Sequence, residues 1–194
     1  MKINLEELDY QKDAINALLK AMPEIERENG VYSNPLIENA GDEKQFIDIK
    51  METGTGKTYV YTRTMLELNK LGFFKFIIVV PSLAIKEGTK NFITSDYAKQ
   101  HFSRFFPNKR IDLQLINAGD FSTKKGRRRN FPVSIMQFCH STINEKNSIQ
   151  CLLISDKGFL DKSNSALFKD DYDQTLNGYN CPIEAIKDAK PKFI

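Results

Sequence analysis

The chain has 194 residues, of which 41% are hydrophobic and 27% charged, and carries a formal net charge of +3. That length suits one well-cored globular domain, and no apolar run approaches the ~20 residues a membrane helix needs. A balance so mildly basic does not by itself imply a nucleic-acid partner.

The start, "MKINLEELDYQKD", is acidic within a few residues and has no apolar core, so the expectation is a cytoplasmic protein without a signal or transit peptide. Leu8 to Met22 places apolar residues at 15, 18, 19 and 22, which predicts an amphipathic helix with Asp9 as its cap. "NGVYSNPLIENAGDEK" has the composition of a loop, and "FIDIKM" after it alternates like a strand. From Lys57 a second helical face follows, Val60, Tyr61, Thr64, Met65 and Leu68, with Gly72 placed to end it. "KFIIVVP" holds an unbroken apolar run closed by Pro81, as a parallel strand buried on both faces requires.

Helices are predicted at 83–93 and 95–106, then strands at "IDLQLIN", "VSIMQFC" and "CLLI". Near the end a short helix opens at Pro182, and "KFI" reads as the first residues of another strand. Strands interleaved with helices predict an α/β domain with a mainly parallel sheet. Cys139, Cys151 and Cys181 form no C-x-x-C pair, and His101 and His140 lack ligand-like neighbours. Buried reduced thiols are expected, and no metal site.

The chemistry concentrates in "METGTGKT". Gly54 and Gly56 let the backbone turn and present N–H groups to phosphate oxygens, at the positive end of the following helix. Lys57 would reach the terminal phosphates, and the Thr58 hydroxyl would be a ligand of the Mg²⁺ that bridges them. Met51 stands where the strict pattern has its first glycine, a position that shapes the loop rather than donating to phosphate. Upstream, the amide of Gln11 suits both the donor and the acceptor edge of adenine, with the Tyr10 ring beside it; an ordinary surface glutamine is the alternative. In "VVPSLAIKEG" a buried strand stops at Pro81 and Ser82 and opens a helix whose first N–H groups could hold a nucleic-acid phosphate, with Lys86 nearby.

Together, "YQKDAI", "METGTGKT" and "VVPSLAIKEG" resemble the N-terminal part of superfamily-two DNA helicase motors, most closely the Res subunit of type III restriction enzymes. The resemblance extends through "FIDIKMETGTGKTYVYTRTMLELNKLGFFKFIIVVPS" and "VSIMQFCHSTINEKN". It implies an α/β, incomplete RecA-like P-loop NTPase domain with ATP and Mg²⁺ as cofactors. It also implies double-stranded DNA as substrate and a modification (methyltransferase) subunit as partner. By position it implies Gln11 as adenine reader, Thr53, Gly54, Thr55, Gly56, Lys57 and Thr58 as the phosphate and metal site, and Pro81 and Ser82 as a DNA-backbone contact.

Family members follow the Pro-opened helix with an apolar strand ending in an Asp-Glu box. Here the chain reaches only "KFI", and Asp42-Glu43, ahead of the first strand, cannot serve. Residues 1–194 are therefore expected to be the N-terminal part of a helicase ATP-binding domain, without a second RecA-like domain or nuclease, marginally stable and inactive alone. Another superfamily-two helicase fragment and a non-catalytic nucleotide- or DNA-binding protein are the rival readings. The run "KKGRRR" at 124–129 reads as a solvated loop, with a DNA-phosphate contact as the alternative. Tyr97, Phe102, Phe105 and Phe106 fall at helical spacing and read as core.

Overall fold

The structure, a computed structural model, describes residues 5–22, 25–26, 31–34, 36–37, 46–121, 129–143, 147–156, 165–172, 176 and 178–194. Asp42-Glu43 and residues 124–128 of the basic run lie outside the described residues.

Helix α1 spans Asp9–Ala21 and buries Gln11 and Ile15. A short antiparallel pair, β1 (Ile25–Glu26) and β2 (Leu36–Ile37), precedes α2 (Lys57–Lys70) and β3 (Lys75–Val80). Then follow α3 (Leu83–Thr94), α4 (Asp96–Ser103) and β4 (Arg110–Leu115). The last elements are α5 (Val133–His140), β5 (Ser148–Ser155), α6 (Pro182–Asp188) and β6 (Lys192–Phe193). The main sheet has the order β4-β5-β3-β6 and every pairing in it is parallel. The expected α/β architecture with a parallel sheet is thus present.

Parallel strands must be covered on both faces. Phe76, Ile78 and Val80 of β3, with Ile149, Cys151 and Leu153 of β5, face residues of α2, α3 and α4 such as Met65, Ile93 and Phe102. On the opposite face, Ile77, Leu152 and Ile154 pack against Ile135, Phe138 and Cys139 of α5 and Ala185 and Ile186 of α6. Phe102 and Phe106 belong to the core as expected, whereas Phe105 is exposed and lies under the Arg63 guanidinium, 4.4 Å from the ring centre.

Gly72, at φ 101°, ends α2 and reverses the chain into β3. Helix α2 is 14 residues long and β3 six, so at about 1.5 Å and about 3.3 Å per residue they are of nearly equal length. Residues 52–56 therefore lie at the carboxyl edge of the sheet, the edge where β3 delivers Pro81 and Ser82.

Three sequence expectations fail for physical reasons. "VSIMQFC" is helix α5, not a strand: Ile135, Phe138 and Cys139 are the residues it buries, a spacing of three and four. Periodicity alone does not separate such a short apolar run from a strand. "FIDIKM" is not a strand either. Phe46 is 80% exposed, and among the described residues no strand pairing includes residues 46–51. Asp9 is the first residue of α1 rather than its cap. The cap position is Leu8, whose N–H donates to Gln11 Oε1 at 3.1 Å, while Asp9 pairs with Lys12.

The start of β3 is joined to the rest by buried polar groups. Asn34 is fully buried, accepts from the N–H groups of Phe74 and Lys75 at 2.8 and 2.9 Å, and donates to the carbonyls of Lys75 and Lys190. Lys75, also fully buried, donates to the Cys139 carbonyl at the end of α5. Asn34→Ala strands several backbone groups in the core and is expected to cost about 2–4 kcal/mol in urea unfolding; a loss below about 1 kcal/mol contradicts this account of Asn34.

Candidate functional site

The glycine loop is built as its sequence requires. Gly54 and Gly56 have φ of 83° and 82°, a conformation glycine adopts without strain. Gly56 is the N-cap of α2, and no side chain caps the helix. The first turn of α2 carries Lys57 and no acid. Unsatisfied N–H groups and the helix dipole therefore present an uncompensated positive end. Met51 needs no left-handed backbone: the only non-glycine residues with positive φ among those described are Asn108 and Lys190. The departure from the strict pattern leaves the loop geometry intact.

Each predicted residue of the loop has a definite place. Thr53 and Gly54 are exposed, and Thr58 is half-buried. Lys57 is exposed, and its Nζ rests on the Glu52 carbonyl at 2.6 Å, a bond shared with the Thr55 hydroxyl, also at 2.6 Å. Gln11 comes to the loop from 44 residues upstream, and its Nε2 donates to the Thr55 carbonyl at 3.0 Å. Tyr10 joins it there, its hydroxyl donating to the same carbonyl at 3.2 Å. A Cβ placed on Gly56 would lie 2.6 Å from Gln11 Nε2. Gly56 is thus constrained by its backbone angle, and a Cβ there would also force the Gln11 amide to shift.

Sequence reasoning missed a set of polar contacts between the segment before α1, α2 and α4. The Tyr59 hydroxyl donates to Glu7 Oε1 at 3.0 Å and lies 2.9 Å from His101 Nε2. Arg63 reaches Glu7 at 3.8 Å and Glu67 at 3.0 Å. Their partners stand 42 and 52 residues apart in sequence, so no local pattern could have signalled them. Burial holds His101 below the usual imidazole range, against the opposing pull of the Leu5 carbonyl and Glu7.

The second predicted contact region is altered in one respect. Pro81 is exposed, and Ser82 caps α3, its Oγ accepting from Ile85 N at 3.3 Å. Lys86, expected to stand near a nucleic-acid phosphate, is buried instead, at 3% exposure. Its Nζ donates to the Ile116 carbonyl and to Asn117 Oδ1 at 2.8 Å, and burial lowers its pKa. A lysine four residues into a helix that packs on the sheet has its stem covered, and its charge is spent on the turn after β4. From the basic run, Arg129 is described, and it pairs with Asp171 at 3.0 Å.

Burial pushes the Cys139 thiol up to about 12 and raises that of Cys151, as expected of inert reduced cysteines. Among the described residues no helix is long and apolar enough to cross a membrane, and no cluster of His, Cys, Asp and Glu could hold a metal ion.

Residues 4–175 match the profile of the family described as "Type III restriction enzyme, res subunit". The type III restriction-modification enzyme StyLTI Res subunit of Salmonella typhimurium (strain LT2) is 48% identical over 199 residues, covering 100% of this chain and 20% of that protein. The EcoP15I Res subunit of Escherichia coli is 38% identical over 160 residues, or 81% of this chain and 16% of that protein. The EcoPI Res subunit of Escherichia phage P1 is 33% identical over 213 residues, or 100% of this chain and 21% of that protein. The chain thus spans about a fifth of the length of the curated relatives it matches.

Gly56→Ala is expected to displace Gln11 from the Thr55 carbonyl and to add about 1–2 kcal/mol of left-handed strain. A melting temperature equal to that of the unaltered chain contradicts the constraint at Gly56. His101 gives a pH dependence with a definite sign. Its native pKa lies below the unfolded value of about 6.5, so below that pH the unfolded chain binds the extra proton and stability falls on acidification. Thermal melts from pH 7.5 to 5.5 should show this loss, and His101→Gln should reduce it. An equal pH slope in the two proteins rules His101 out as its source.

Proposed function

Because this chain belongs to the family of type III restriction enzyme Res subunits, we propose that residues 1–194 form the N-terminal part of a RecA-like, ATP-binding domain serving translocation on double-stranded DNA. The observation that carries this reading is the left-handed glycine loop opening an uncapped, acid-free helix turn, with Gln11 already bonded to the loop. Such a cradle suits a polyanion with an attached base.

In this reading the backbone from Thr53 to Gly56 receives the phosphates. Lys57 exchanges the Glu52 carbonyl for phosphate oxygens, a stronger charge-assisted bond. Thr58 supplies a hydroxyl to Mg²⁺, and the ion's chemistry is to neutralise and polarise the terminal phosphates. Gln11 reads adenine: after its bonds to Leu8 N and the Thr55 carbonyl, its Nε2 retains one N–H and its Oε1 one lone pair. Pro81 and Ser82, at the same edge of the sheet, meet the DNA backbone, where Ser82 retains its hydroxyl proton for a phosphate oxygen while its oxygen caps α3. Lys86 has no part in that contact. A modification subunit as partner, and a cytoplasmic location, follow from the same family reading.

Hydrolysis and cleavage in this proposal need groups beyond these 194 residues. Titration of the chain with fluorescent ribose-labelled ATP and Mg²⁺ should show binding, weakened about 10- to 100-fold in Lys57→Ala through loss of its charge-assisted bonds and unchanged in Met51→Gly. Equal affinity in Lys57→Ala overturns the nucleotide reading. Sustained DNA-dependent ATP turnover by the pure chain overturns the view that it is a partial module.

A further inference from the structure

The glycine loop and the segment in front of α1 are tied by a closed circuit of hydrogen bonds. Gln11 is held at two points, Leu8 N–H on Oε1 at 3.1 Å and the Thr55 carbonyl on Nε2 at 3.0 Å. Those two points are also connected by a second route. Glu7, the neighbour of Leu8, accepts the hydroxyl of Tyr59, which lies four residues beyond Thr55 in the first turn of α2. The circuit runs from Leu8 through Gln11, Thr55, Tyr59 and Glu7 back to Leu8.

Its side chains are sheltered from water, its two backbone points less so. Gln11 and Tyr59 are each 5% exposed and the Glu7 side chain 12%, whereas Leu8 is 41% exposed and Thr55 half-buried; His101, beside Tyr59, is 5% exposed. The sheltered side-chain bonds are directional and hard to exchange. The donors are also ordered. A carboxylate only accepts, so Tyr59 gives its proton to Glu7, and the Tyr59 oxygen then accepts from His101 Nε2–H. Arg63 holds Glu7 from one turn further along α2.

A glutamine amide can usually turn over, exchanging its oxygen for its nitrogen at little cost. Here it cannot: flipping Gln11 would set its NH₂ against the Leu8 N–H and its oxygen against the Thr55 carbonyl. The N–H and lone pair that Gln11 leaves unused are therefore fixed in orientation. Adenine offers an N7 acceptor beside an N6 donor, which matches them, whereas guanine offers two acceptors, N7 and O6, and sets O6 against the amide oxygen.

We propose that Glu7 and Tyr59 are positioning residues for base recognition. They hold the Leu8 N–H and the Thr55 carbonyl in register, so that Gln11 stays in the one orientation that accepts adenine and rejects guanine. The inference rests on the reading of Gln11 as the adenine reader. It adds the residues that make the reading selective, and the ratio of two affinities separates that role from a merely structural one. A structural loss weakens both nucleotides alike.

The test is binding of ribose-labelled ATP and ribose-labelled GTP, each with Mg²⁺, to the 194-residue chain. The unaltered chain should prefer ATP by about tenfold or more, the size expected when a mispaired polar group is buried. Gln11→Ala should abolish the preference. Tyr59→Phe and Glu7→Ala should weaken ATP binding while sparing GTP, lowering the ratio about threefold or more, and Glu7→Gln, which still accepts the Tyr59 hydroxyl, should keep it. An unchanged ratio in Tyr59→Phe, or equal loss of both nucleotides, overturns the proposal and leaves the adenine reading standing. If Tyr59→Phe does not fold, the Glu7→Ala and Glu7→Gln pair decides by the same ratio. No ATP preference in the unaltered chain overturns the adenine reading and this proposal with it.

Discussion

The parallel pairing of β3 with β5 is the constraint from which most of the molecule follows. The two strands are in register from Lys75 opposite Gln150 to Val80 opposite Ser155, and side chains on both faces are buried in separate apolar clusters. A strand pair apolar on both faces cannot remain at a surface, so helices must cover each side. Parallel strands also deliver all their carboxyl ends to one edge, and α2, which reverses into β3 at Gly72 and nearly equals it in length, begins at that edge. The glycine loop and the Pro81 and Ser82 turn are consequently neighbours by topology, although 25 positions separate Gly56 from Pro81.

On this apolar frame, buried polar groups set the finer positions. Asn34 joins the start of β3 to the turn before β6, Lys75 joins β3 to the end of α5, and Lys86 joins α3 to the turn after β4. Apolar contact is non-directional and tolerates small slides between elements. A buried amide or ammonium does not, because a displaced partner leaves a desolvated polar atom unpaired. The Glu7, Tyr59 and Gln11 circuit applies the same rule to the loop itself. It converts the general closeness of α1 and α2 into a fixed orientation for one side chain.

Much of the fold was legible because its signals are local. "FIIVV" could be little else than a buried strand, the Val60 to Leu68 face marks a helix, and "GTGKT" demands left-handed turns that only glycine supplies cheaply. Where the signal was ambiguous, reading failed in a consistent way. "VSIMQFC" suits either a strand or a helix covering a sheet, and the pairing of β4 with β5 leaves it the helical role. "FIDIKM" alternates as a strand should, but alternation describes faces and says nothing of whether a ladder partner exists. Asp9 and Lys86 have the residue types of a cap and a phosphate ligand, yet a neighbouring amide and a neighbouring carbonyl claim those roles or those atoms.

By itself, then, the sequence determined the α/β class, the left-handed turns at Gly54 and Gly56 and the family, because each rests on short stretches whose backbone demands are met within a few residues. Only the tertiary structure decided that Gln11 touches Thr55, that Glu7, Tyr59 and His101 stand behind it, and that Lys86 is withdrawn from the surface. Those contacts join residues 30 to 52 positions apart. Contacts at that range depend on which elements pack together, which no local pattern records.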